Sequence, residues 1–262
     1  MKLKRGQQLK EHTAAVIAEL RKLYPDAHCE LDFTNPLELL VATILSAQCT
    51  DKRVNIVTRD LFKKLRTAAD YAAVPQEELE VAIKSTGFFR SKSKSLRSMA
   101  QDLVSKFGGK VPASMEELTS LAGVGRKTAN VVLGNAFNIN AGIVVDTHVR
   151  RLAQRLGLTR QEDPEKIETE LMELVPQSDW TNFSHWLIWH GRRCCYAQKP
   201  DCLHCGLASI CPSYDEFVKA PSPAKTKEAP APAERASLAR PKASEIKKRP
   251  VPAQRRQPKK AA

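Results

Sequence analysis

The segment LAGVGRKTANVV, residues 121–132, places a lysine just after a glycine turn and at the start of an apolar helix. Helix starts favour acids, because the backbone dipole puts partial positive charge there. Lys127 therefore sits where its own charge is least welcome. An ordinary lysine, with a pKa of about 10.4, is almost wholly ammonium at neutral pH. A helix N-terminus and partial desolvation both disfavour that charged form, so the position can free an amine for attack on carbon. The bland alternative is a solvated lysine that touches an anion. Gly123 and Gly125 permit positive φ and close backbone approach, and the amides that follow them point outward as anion donors. An ordinary tight turn between two helices would use the same residues.

Nineteen residues on, VVDTHVRRLAQRLG puts Asp146 where a short apolar run meets a helix, a good N-cap position. A carboxylate that accepts backbone N–H bonds stays ionised, and it can stabilise a nearby cation or guide a nucleophile. Simple capping would also explain it. One helix separates Lys127 from Asp146, so the two can face one cleft.

Five of the seven cysteines lie in GRRCCYAQKPDCLHCGLASIC. In a cytosolic chain, clustered cysteines argue for metal rather than disulfides. The spacing Cys195-x6-Cys202-x2-Cys205-x5-Cys211 offers four thiolates but only one close pair. Zinc sites usually show two close pairs, and iron–sulfur clusters tolerate varied spacing, so spacing leaves the metal open. Cys194 is left over from this set. Cys29 and Cys49 read as small buried residues.

The elements that must position these groups are nearly all helical. Apolar periodicity and caps predict helices over 6–23, 35–48 (Asn35 capping, Pro36 in the first turn), 50–65, 75–84, 91–107, 114–123, 126–137, 147–156, 164–175 and 181–191. LELLVATILSAQ is apolar on nearly all sides and suits a central buried helix. Trp186 and Trp189 read as core. IVVDT, 143–147, is the best strand candidate and too short to build a sheet. The fold class is all-α.

The chain has 262 residues and a net charge of +13. From Lys219 onward it holds thirteen basic residues, three acidic ones, eight of the sixteen prolines and no aromatic. Such a tail cannot bury enough apolar area to fold. It reads either as a sequence-blind phosphate contact or as a solubilising extension. The longest strongly apolar run, LLVATIL, falls far short of the roughly 20 residues of a membrane span. The basic N-terminus has no apolar segment after it. A cytosolic protein with no membrane partner is expected.

Together, ILSAQCTD (44–51), STGFFRSKS (85–93), LAGVGRKTANVV, VDTHVRRLAQRLG (145–157), HWLIWHGRRCC (185–195) and the cysteine array resemble the endonuclease III family of DNA glycosylases and apurinic/apyrimidinic lyases. The resemblance runs over roughly residues 10–215, in the family's order. It implies a helix–hairpin–helix fold with two helical domains, 25–132 and 1–24 with 133–218, a DNA cleft between them, and residues 219–262 outside as the tail. It implies a [4Fe-4S] cluster on Cys195, Cys202, Cys205 and Cys211. Lys127 and Asp146 fall on the catalytic lysine and aspartate. Gln48 falls on the residue that fills the gap left by an extruded nucleotide, and Phe88 on the wedge, where the family usually has an aliphatic residue. Gly123, Gly125, Arg126 and Lys199 fall on DNA contacts; Asp51 and His148 are pocket candidates. Ala122 replaces a usual proline. Gln198 replaces a common basic residue, a loss that Arg192 or Arg193 would compensate. The implied partner is double-stranded DNA carrying damaged pyrimidines or abasic sites, bound by a monomer in the bacterial cytosol or nucleoid. A monofunctional mismatch glycosylase and a catalytically silent DNA-binding module are the competing readings.

Overall fold

Asn35 shows how local chemistry starts these helices. Its side chain accepts the amide of Glu38 at 3.0 Å, and Pro36 opens helix α2 (Pro36–Leu45). Five of the six apolar residues from Leu39 to Leu45 that α2 buries are fully excluded from solvent, so it is the central helix of the first core. Each large side chain so buried contributes about 1.5–3 kcal/mol. The computed structural model describes residues 5–218. The tail, 219–262, lies outside the described residues.

The described chain is helical throughout, with no strand. In order come α1 (Gln7–Leu23), α2, α3 (Asp51–Lys64), α4 (Ala68–Ala73), α5 (Gln76–Ile83), α6 (Phe89–Phe107), α7 (Met115–Thr119), α8 (Arg126–Ala136), α9 (Thr147–Arg155), α10 (Pro164–Leu174), α11 (Trp180–Arg193) and α12 (Tyr214–Val218). Two apolar clusters form. One gathers Leu31 through Leu133; the other joins Val16, Ile17 and Leu20 of α1 to residues from Ile143 to Leu207. No described helix is long and apolar enough to cross a membrane.

Several boundaries differ from expectation. Helix α4 was missed, although Thr67 and Asp70 form a reciprocal capping box. The helix expected over 114–123 stops at Thr119. The hydroxyls of Thr119 and Ser120 bond back to Met115 and Glu117 carbonyls at 2.8 and 2.7 Å, which competes with continuing the helix. The segment 143–145 is buried but pairs with no strand; the amide of Val144 donates to Ser184 Oγ at 3.0 Å instead.

Candidate active site and DNA interface

The hairpin Leu121–Gly125 feeds α8. Gly123 takes φ +76°, and a Cβ there would lie 2.8 Å from Ser95 Cβ, so both its conformation and its packing require glycine. Gly125 needs no such freedom. Its φ of −91° is extended, and it caps α8 with no side-chain acceptor. The first turn of α8 carries no acid, so its amides stay open to an anion. Lys127 is exposed in that turn and makes no side-chain hydrogen bond or ion pair among the described residues. The fold alone therefore does not supply the desolvation expected of it.

Asp146 caps α9, accepting the Val149 amide at 2.8 Å. Lys127 and Asp146 line the same solvent-open cavity, together with His28, Glu30, Asp51, His185, Trp189 and Arg192; its empty space, mouth included, is about 710 Å³. The same two residues also line an open groove of about 1140 Å³ on the hairpin side, with Gly125, Arg126 and Arg150. They stand where cavity and groove meet.

Inside the cavity, Arg192 bridges Asp51 (2.7 Å) and Glu30. Asp51 thus lines the cavity. His185 is pushed down to about 4 by burial and by His28, and its Nε2 lies 2.7 Å from Asn135 Oδ1. Burial pushes the Cys29 thiol up to about 11. His148 lies outside the cavity and the groove. Its ring packs against Gly191 and its Nδ1 lies 3.3 Å from Arg151, so it belongs to the joint between α9 and α11. Trp186 is core as expected, whereas Trp189, also buried, forms part of the cavity wall, edge-on to Tyr24 and His28.

Gln48 and Phe88 are both exposed and both left-handed, with φ of 53° and 48°. Non-glycine residues rarely hold that conformation, and it costs about 1–2 kcal/mol. Arg126 is not free: Glu168 accepts its Nε at 2.8 Å and its Nη2 at 3.1 Å, and this bonding raises the guanidinium pKa. Lys199 is exposed on a loop that Arg155 grips through the carbonyls of Tyr196 and Ala197, both at 2.7 Å. Arg192 and Arg193, the residues expected to compensate for Gln198, both have partners within the protein. The first is held by two carboxylates, and the second lies 3.6 Å above the Trp189 ring.

Cys194, Cys195, Cys202, Cys205 and Cys211 line one cavity with His190 and Leu207. The donor set is thiol-rich and suited to binding a thiophilic metal centre. Burial and neighbouring thiols push Cys194 up to about 12, and burial, opposed by a backbone hydrogen bond, takes Cys211 to about 11. The ligand atoms of His190, Cys194 and Cys205 lie within 4.8 Å of one another. Cys194, left over in the sequence, is thus brought into the group, and His190 joins it unannounced.

Residues 41–177 match the model of the HhH-GPD superfamily base excision DNA repair proteins. The endonuclease III of Synechocystis is 53% identical over 211 residues, covering 80% of this chain and 96% of that protein. The chain belongs to the endonuclease III family. A non-covalent endonuclease III–DNA complex superposes with a TM-score of 0.77 at 45% identity, covering 80% of this chain and 98% of that one. A trapped endonuclease III–DNA covalent intermediate matches at 0.76 and 46%, covering 79% and 97%. Within this chain, the sequence reading did not single out the cavity wall on α11. His185, Ile188, Trp189 and Arg192 recur at helical spacing along HWLIWHGR, so the face was readable.

Proposed function

We propose that this chain is a base-excision repair enzyme that removes damaged pyrimidines from duplex DNA and nicks the resulting abasic site. DNA glycosylase and lyase activity follows from membership of the family, and DNA is the partner. The observation that carries the residue assignment is the convergence of Lys127 and Asp146 on one cavity and one groove.

In this reading the groove receives the DNA backbone. The open amides of α8 hold a phosphate, and the extruded nucleotide enters the cavity. Nζ of Lys127, as free amine, attacks C1′; the C1′–N bond breaks and the base leaves with the electron pair. Asp146 stabilises the positive sugar, or takes the proton that Lys127 loses. The sugar ring opens to an imine on Nζ. The imine acidifies the C2′ proton, whose loss expels the 3′ phosphate. Water then returns Lys127 to the amine. Gln48 and Phe88 fill the space left in the duplex. The covalent intermediate trapped with a 46% identical relative supports the imine step.

The two apolar clusters support the reading of 25–132 and of 1–24 with 133–218 as separate lobes. Cys195, Cys202, Cys205 and Cys211 would hold a [4Fe-4S] cluster. When bound, it supplies structural cross-linking of their loop and takes no part in bond making. Arg155 and the loop's carbonyls hold Lys199 toward solvent for a phosphate.

Borohydride trapping on abasic duplex DNA tests the assignment. The wild type gives a covalent adduct, and Lys127→Ala gives none. A full adduct in Lys127→Ala would remove Lys127 from the chemistry. A monofunctional enzyme or a silent binding module gives no adduct even as wild type.

A further inference from the structure

Lys92 is a buried charge that the reaction above does not use. It lies on α6 with 6% of its surface exposed. Its Nζ donates to the Leu45 carbonyl at 2.9 Å and to the Thr86 carbonyl at 2.8 Å. Its backbone amide donates to the Phe88 carbonyl at 3.0 Å. Leu45 is the last residue of α2, three before Gln48. Thr86 ends the short turn Lys84–Thr86, two residues before Phe88. The Leu45 carbonyl is open to Lys92 because the Cys49 amide turns to Ser46 instead, at 3.0 Å. One ammonium thus ties together the roots of two loops from different parts of the sequence. Both loops carry an exposed non-glycine residue in left-handed backbone. Such conformations persist only where the surroundings over-determine them.

We propose that Lys92 is a positioning residue that pins the Gln48 and Phe88 loops to each other, so that both side chains are set for insertion before DNA arrives. The proposal rests on the reading of Gln48 and Phe88 as the residues that enter the duplex. A buried ammonium suits the task. A neutral apolar side chain of the same length would fill the space but leave both carbonyls without this donor. Burial lowers the pKa of Lys92, while its two carbonyl partners favour the charged form.

The experiment compares two substrates across variants that retain cooperative unfolding. One substrate is a duplex with an oxidised pyrimidine, which needs extrusion. The other is a single-stranded abasic oligonucleotide trapped with borohydride, which does not. Lys92→Met should lower kcat/KM on the duplex about tenfold, a misplacement-sized effect, and leave single-strand trapping unchanged. The Gln48→Ala, Phe88→Ala double variant should slow the duplex reaction as well. If the double variant slows the duplex reaction and Lys92→Met does not, the Lys92 proposal fails while the insertion reading stands. If neither variant slows it, both fall. Equal loss on both substrates marks Lys92 as merely structural and overturns the proposal. Should Lys92→Met not fold, amide exchange in the wild type decides: Cys49 and Gly87 amides should be protected to the same degree without DNA, and unfolded-like exchange at either one overturns the proposal.

Discussion

Arg126 grips Glu168 through two guanidinium nitrogens, at 2.8 and 3.1 Å, one residue before Lys127. Asn130 donates to the same carboxylate at 2.8 Å, and a Cβ on Gly142 would lie 2.1 Å from it. Glu168 therefore anchors the start of α8 and packs close against Gly142, in the segment that runs on to Asp146. Arg126 is 44% exposed on its side chain, so solvent screens much of the charge term; the Glu168 side chain is 7% exposed and forfeits more when its partners go. Glu168→Ala should cost about 1–3 kcal/mol in urea unfolding. It should also slow borohydride trapping several-fold, because the turn that carries Lys127 loses its anchor. Unchanged trapping with lowered stability would confine Glu168 to a folding role.

Asp146 caps its helix and, in the proposed function, also serves the reaction; two substitutions separate these roles. Asn keeps an acceptor for the Val149 amide, so Asp146→Asn should stay within about 0.5 kcal/mol of wild type. Its base-excision rate should nonetheless fall on the order of 100-fold, since a charge facing the cationic sugar is gone. Asp146→Ala should lose the same activity and, in addition, about 1 kcal/mol of stability. An active Asp146→Asn enzyme would leave the residue as a cap alone.

His185 makes the fold sensitive to acid. Its folded pKa, about 4, lies below the ordinary histidine value. Between these values the unfolded chain binds the proton and the folded chain does not, so stability is complete above pH 6.5 and is lost as pH falls toward 4. The full loss is on the order of 3 kcal/mol. Proton titration followed by NMR should place the His185 midpoint near 4. His185→Gln should make this part of the stability profile less steep, His190, also pushed down to about 4 by burial, supplying the rest. A midpoint near 6.5 would show that the ring is open to water.

Much of this architecture was legible because its signals are local. Asn35-Pro36, Thr50 and Asp146 announce helix starts through their own side chains, and the structure has each capping the expected helix. Lys127 and Asp146 stood out because each sits at a helix start with chemistry to offer. What stayed hidden depends on packing. Nothing in the charge of Arg126 reveals that Glu168, 42 positions away, accepts both of its nitrogens. Nothing in GFFRSK reveals that Lys92 points inward, because lysine usually lies outside. The left-handed Gln48 and Phe88 are equally silent, since neither is a residue type that favours positive φ. His148 was misplaced for a related reason. It follows Asp146 closely in sequence, but helical rotation carries its ring to the α11 side, against Gly191.

The cysteine cavity gives the last test, because two donor sets compete for one metal. The sequence pattern favours Cys195, Cys202, Cys205 and Cys211, whereas the tightest cluster of ligand atoms is His190, Cys194 and Cys205. Cys205 belongs to both sets and decides nothing; Cys194 and Cys202 belong to one each. A four-thiolate iron–sulfur site predicts equal iron and acid-labile sulfide in the purified chain. It also predicts that Cys202→Ser loses both while Cys194→Ser keeps both. Because a cluster held there would cross-link a loop with few buried apolar residues, Cys202→Ser should lower the melting temperature as well. The reverse pattern, metal lost from Cys194→Ser and kept in Cys202→Ser, would move the centre onto His190 and leave Cys202 a surface thiol.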